Sequence, residues 1–272
     1  MKRARAHRTN PMDTTLPPPS PLLLALEGRA IFEWGALMLA WPWLRRAPAG
    51  DGHPVLVLPG LAASDNSTWP MRRYLESMGY VTHPWKLGRN VGPRDDVVRK
   101  LTERVREIHR RHGRKLSLIG WSLGGAMALA LAVRMPRRVR SVITLGAPLA
   151  GHPRATNAWW LYERVSGLRA DDPRLQDVMR RQPQAPHTSI LSKTDGIVNW
   201  RASLAPDIGQ SENIEVAASH FGLGGNPAVW YAIADRLAQA EGQWRPFDRN
   251  GWRSLFYRDP LRSRIRSEGV SP

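Results

Sequence analysis

The sequence predicts an α/β fold, a mainly parallel central sheet with helices on both faces, on three observations. Short apolar runs, His53–Leu58, Leu116–Ile119 and Val139–Leu145, are nearly free of charge, as strands covered on both faces of a parallel sheet are. Helical patterns alternate with them; in Asp95–His112, Val97, Leu101, Val105 and Ile108 recur at helical spacing among charged residues. Between the strand at Leu116 and an alanine-rich helix ending before Pro136 stands Gly120-Trp121-Ser122-Leu123-Gly124, a tight strand-turn-helix junction.

Taken in order, residues 1–20 join Lys2, Arg3, Arg5 and Arg8 to a proline cluster, a composition that predicts disorder. Pro21–Trp43 is apolar but broken by Glu27, Arg29 and Glu33. A membrane span would have to bury all three charges, and Pro42 limits its length. A signal peptide fits no better, because the basic start is remote from the apolar run. The expectation is a helix packed on the domain. The competing placement is a membrane interface, with Trp34, Trp41 and Trp43 as anchors and Arg45-Arg46 on headgroups.

These residues, 1–49, precede an α/β domain over 50–240. After the first strand, Trp69–Met78 reads as a helix and Tyr80–His83 as the second strand. The alternation stops over 149–187, a helical, lid-like insertion that carries Trp159, Trp160 and Tyr162. Strands resume at Thr188–Ser192 and Asn213–Val216, and Pro227–Ala240 is the last helix. The tail, 241–272, sets Trp244, Phe247, Trp252, Phe256 and Tyr257 among arginines; it is expected to wrap the domain, with an anionic-lipid surface as the alternative.

The chain has no cysteine, which excludes disulfides, thiolate metal sites and cysteine catalysis. Its net charge of +17 is almost all arginine, since there are only five lysines. The arginines are spread over every segment without a recognition motif, so nucleic acid is not an expected partner.

Chemistry is concentrated at three places. Ser122 sits in a G-x-S-x-G turn between strand and helix, where a strained backbone lifts the hydroxyl to the positive end of the helix. Serine attacks only when a base takes its proton and a carboxylate orients that base. Asp195, in Thr194-Asp195-Gly196 after a strand, and His220, in Ser219-His220-Phe221-Gly222, supply these groups in the order serine, acid, histidine. The other histidines lie in the tail, end a surface helix, or break that order.

On Gly120–Gly124, Ser192–Val198 and Ser219–Leu223 the chain resembles the α/β-hydrolases, and among them the serine esterases and lipases of bacteria, over about residues 50–240. The resemblance implies Ser122 as nucleophile, His220 as base and Asp195 as acid, with the N–H groups of Leu123 and Leu61 as oxyanion hole. Many relatives carry His-Gly where this chain has Pro59-Gly60. The function expected is cleavage of small-molecule or lipid carboxylic esters through an acyl-enzyme, without metal or cofactor, with Trp121, Trp159, Trp160 and Tyr162 contacting substrate. An acyltransferase or thioesterase on the same triad, and a catalytically silent membrane-associated binding protein, are the alternatives. The expected location is cytoplasmic, with peripheral contact at the inner membrane.

Overall fold

The structure, a computed structural model, describes residues 16–150, 153–172, 177 and 181–261. Six strands form one sheet: β1 (Pro54–Leu58), β2 (Val81–Pro84), β3 (Leu116–Trp121), β4 (Val139–Leu145), β5 (His187–Leu191) and β6 (Ser211–Glu215). Every pairing is parallel, in the order β2-β1-β3-β4-β5-β6. The helices are α1 (Pro21–Ala25), α2 (Ala30–Leu44), α3 (Asp65–Ser77), α4 (Asp95–His112), α5 (Leu123–Arg134), α6 (Trp159–Ser166) and α7 (Pro227–Leu237).

Side chains alternate across a strand, so β1 feeds two cores. Val55 and Val57 join α2, α3 and α7 on one face, while Leu56 and Leu58 join α4 and α5 on the other. The strand is therefore apolar at every position. α4 has the expected bounds, with Asp95 and Asp96 in its first turn, four basic residues in its last, and Gly113 in the left-handed region as stop.

Several expectations are corrected. α3 begins at Asp65 rather than Trp69. Pro70 lies inside the helix and does not stop it from starting earlier; the Asp65 carboxylate accepts the N–H groups of Trp85 (2.9 Å) and Lys86 (3.1 Å) beyond β2. α2 continues through Pro42 to Leu44. Of the residues expected to be disordered, 1–15 lie outside the described residues, whereas Leu16–Ser20 is pinned: Asn199 and Asn157 donate to the carbonyls of Pro17 (2.8 Å) and Pro19 (3.1 Å). Ser20 then caps α1.

The described part of the tail, 241–261, wraps the domain. Phe247 and Tyr257 are buried, Arg258 forms an antiparallel bridge with Glu215, and Glu212 on β6 accepts the N–H of Phe247 at 2.8 Å. Parts of the 149–187 insertion lie outside the described residues; the described part includes a short 3-10 helix, Pro153–Ala155, and α6. No helix among the described residues is long and apolar enough to cross a membrane.

The sheet positions Ser122 by a close approach. A Cβ on Gly124 would stand 2.5 Å from the Pro59 carbonyl oxygen and 2.6 Å from that of Leu58, so the start of α5 lies directly on the end of β1. Gly124→Ala is therefore expected to destabilise the protein by about 3 kcal/mol through overpacking. The midpoint of urea unfolding measures this, and an unchanged midpoint would contradict the packing.

Candidate active site

Ser122 occupies a backbone conformation that L-residues rarely adopt, φ 53° and ψ −123°. Two neighbours hold it there: β4, where the Leu145 carbonyl accepts its N–H at 2.8 Å, and α5, where its own carbonyl accepts from Gly125 at 2.8 Å. The strain places the side chain at the N-terminus of α5. Gly60 lies against it, since a Cβ there would be 3.5 Å from Ser122 Cβ. Leu61 follows Gly60, and Leu123 opens α5 directly after Ser122.

Asp195 and His220 are both buried, each 3% exposed, and joined by a 2.7 Å contact between Asp195 Oδ2 and His220 Nδ1. Asp195 Oδ1 accepts from the N–H groups of Ile197 (2.8 Å) and Val198 (2.7 Å), which leaves Oδ2 aimed at the imidazole. Nδ1 beside a carboxylate carries the proton, so Nε2 is the acceptor. Gly146, at φ +52°, links this pair to the serine: it follows Leu145, and a Cβ on it would stand 3.0 Å from Asp195 Oδ2 and 3.2 Å from His220 Nδ1. Trp121, next to Ser122, donates its indole N–H to the His220 carbonyl at 3.1 Å. Ser122 Oγ itself makes no hydrogen bond to a described residue, and catalytic hydrogen bonds often tighten only when substrate is bound.

The sequence reading missed the residue that ties both loops together. Glu27, buried between α1 and α2, accepts three backbone N–H groups: Gly196 at 2.7 Å and His220 at 2.9 Å on Oε1, and Phe221 at 3.0 Å on Oε2. Glu33 takes the N–H of Ser219 at 2.7 Å, and Arg29 donates to the carbonyls of Thr194 (2.8 Å) and Ala218 (2.9 Å). One acid-to-base segment pair is thus gripped by one polar helix face. The signal was present as three charges inside an apolar run, which must find partners when buried.

Burial disfavours the His220 imidazolium, but the charge and hydrogen bond of Asp195, with the charge of Glu27 behind them, outweigh it and hold the pKa above the usual 6.5. The remaining candidates are less engaged. Trp160 is exposed, Trp159 is half-buried with Arg154 over its ring at 5.6 Å, and Tyr162 packs beside Gly92. No cluster of metal-ligating side chains exists among the described residues.

A strained serine at a strand-to-helix turn, beside a buried Asp–His pair on a parallel sheet, defines a serine-nucleophile α/β architecture. The family described as the alpha/beta hydrolase fold matches residues 53–195, and the chain belongs to it. Among solved structures, Aspergillus fumigatus lipase B is similar at 17% identity and a TM-score of 0.57, over 72% of this chain and 54% of that one; this chain spans about half of the fungal lipase. A Bacillus licheniformis lipase (18% identity, TM-score 0.52) is matched over 72% of this chain and 95% of its own. A Paleococcus ferrophilus monoacylglycerol lipase (18%, 0.51) is matched over 71% and 97%. No curated protein matches in sequence.

For proton abstraction His220 must be neutral, so activity falls as pH drops through its raised pKa, and the acid limb of kcat/KM should lie above pH 6.5. Removing the Glu27 charge takes away one influence that raises that pKa. Glu27→Gln is therefore expected to move the limb to lower pH and to reduce kcat by about tenfold to a hundredfold through misplaced loops. A pH profile identical to that of wild type would show that Glu27 only supports the fold.

Proposed function

We propose that this protein hydrolyses carboxylic esters through an acyl-enzyme on Ser122, with His220 as base and Asp195 as the acid that orients it. The observation that carries the reading is the buried 2.7 Å Asp195–His220 pair set beside a serine held at φ 53°. His220 Nε2 takes the proton from Ser122 Oγ as the oxygen attacks the ester carbonyl. The tetrahedral oxyanion is met by the N–H groups of Leu123 and Leu61 at the positive end of α5. His220 then protonates the departing alkoxide, and the same histidine draws a proton from the water that releases the acid. No cofactor enters these steps.

The substrate class we favour is an ester with a medium or long acyl chain. The 149–187 segment supports this by its aromatics, of which Trp160 is left exposed. Each buried methylene contributes about 0.8 kcal/mol, so four more are worth about 3 kcal/mol, or roughly a hundredfold in kcat/KM. Comparison of acetate, butyrate, octanoate and palmitate esters on wild type and Trp159→Ala/Trp160→Ala tests this. A preference for acetate, unchanged in the double variant, would leave a short-chain esterase.

Ser122→Ala should abolish both turnover and labelling by a fluorophosphonate while the protein stays folded. Asp195→Asn should retain the fold and lose on the order of 10⁴ in kcat, by analogy with the worked serine-protease case. Near-wild-type hydrolysis by Ser122→Ala would end the assignment.

A further inference from the structure

A surface helix ordinarily shows charges to water on the face opposite its buried apolar stripe; α2 buries Leu37 and Leu44 but is apolar on its outer face as well. Here the charged residues face inward: Glu27 just before the helix, and Arg29 and Glu33, are spent on the loops of Asp195 and His220. The apolar residues face outward, with Ile31 72%, Phe32 77%, Met38 79% and Leu39 86% exposed. Their spacing makes one stripe along the helix. From Pro21 to Leu44 every fully exposed residue is apolar or glycine, and the charged Arg29 and Glu33 are only partly accessible.

Basic residues stand where this plate ends: Arg45 and Arg46 are exposed directly after α2. The tail extends it: Trp252 packs edge-on against Trp43 at 5.2 Å, and the neighbouring Leu255 and Phe256 are exposed beside the exposed Arg258. Two segments far apart in sequence thus bring apolar side chains and arginines to one surface. A second copy of the chain would meet the plate with its own net charge of +17, which opposes self-association.

We propose that this face docks the protein on an anionic phospholipid bilayer, with α2 lying in the interface and Arg45, Arg46 and Arg258 on the headgroups. The inference goes beyond the triad reading and does not rest on it. It has a consequence for it all the same: the helix whose outer face enters the interface is the one whose inner face holds the histidine loop, so docking sets the candidate site at the lipid surface.

The test is flotation of the full-length protein with phosphatidylcholine vesicles, with and without phosphatidylglycerol. Binding is expected to the anionic vesicles and to weaken with salt. Phe32→Ser/Leu39→Ser should lower partitioning about a hundredfold, and Arg45→Gln/Arg46→Gln should remove most of the anionic preference, about thirtyfold. Circular dichroism confirms folding of each variant; Ile31→Ser/Met38→Ser, on the same stripe, serves if the first pair does not fold. Wild-type protein that stays with neither vesicle would overturn the proposal. So would apolar variants that float like wild type, or a dimer that these substitutions convert to monomer without any vesicle binding. Flotation with no hydrolysis of a soluble butyrate ester would uphold docking and count against the triad reading alone.

Discussion

A carboxylate removed from water is costly unless each oxygen finds a donor, and Glu27 finds three, all of them backbone N–H groups of the two loops that carry Asp195 and His220. Charge-assisted hydrogen bonds contribute about 1.5–3 kcal/mol each, and a buried N–H left unpaired costs a comparable amount. Neither loop can therefore shift alone. The carboxylate binds Gly196 and His220 through the same oxygen, so a movement that relaxes one contact strains the other. The 2.7 Å Asp195–His220 distance is in this sense a consequence of a residue about 170 positions upstream.

The serine is held by the opposite kind of constraint, a conformation that is unfavourable in itself. A positive φ at a non-glycine residue costs on the order of 1–3 kcal/mol and persists only where surrounding structure over-determines it. β4 and α5 do so here, and the glycine contacts show why small residues surround Ser122: Gly124 rests on the carbonyls of β1, and Gly146 leaves room for Asp195 and His220. The sheet supplies rigidity at the serine and the amino-terminal helix supplies it at the histidine. The two halves meet at Trp121, whose backbone precedes the serine and whose indole supports the histidine loop.

Much of this was legible because buried parallel strands and amphipathic helices leave strong periodic signals. Val55–Leu58 is apolar throughout because both faces are covered, and Val97, Leu101, Val105 and Ile108 are all buried on α4. The turn at Ser122 was legible for a local reason, the need for glycine on both sides of a strained residue. The grip of Glu27 was not. Its partners are backbone groups of Gly196, His220 and Phe221, and backbone groups carry no sequence signature. The same three charges that argued against a membrane span turned out to be inward-facing, which periodicity could not reveal because α2 is apolar on nearly every side. Likewise Leu16–Ser20 looked disordered by composition, but prolines without free N–H groups still offer carbonyls, and Asn157 and Asn199 use them.

The family match ends at Asp195, the acid of the candidate triad. His220 and Glu27 both lie outside it, on opposite sides in sequence, and they touch each other through the His220 N–H. The matched core thus provides β1 to β5, the serine turn and Asp195, while β6, His220 and Glu27 come from segments beyond it. Residues 16–49 and 241–261 are structurally part of the same body: Trp43 stacks on Tyr231 of α7 at 4.8 Å, and Tyr257 packs against Phe247 at 4.7 Å. A truncation chosen at residue 50 would strip the N–H groups of Gly196, Ser219, His220 and Phe221 of their carboxylate acceptors and the carbonyls of Thr194 and Ala218 of the Arg29 donor. The chemistry of this protein is therefore inseparable from a helix whose outer, uncharged face is the least typical surface it has.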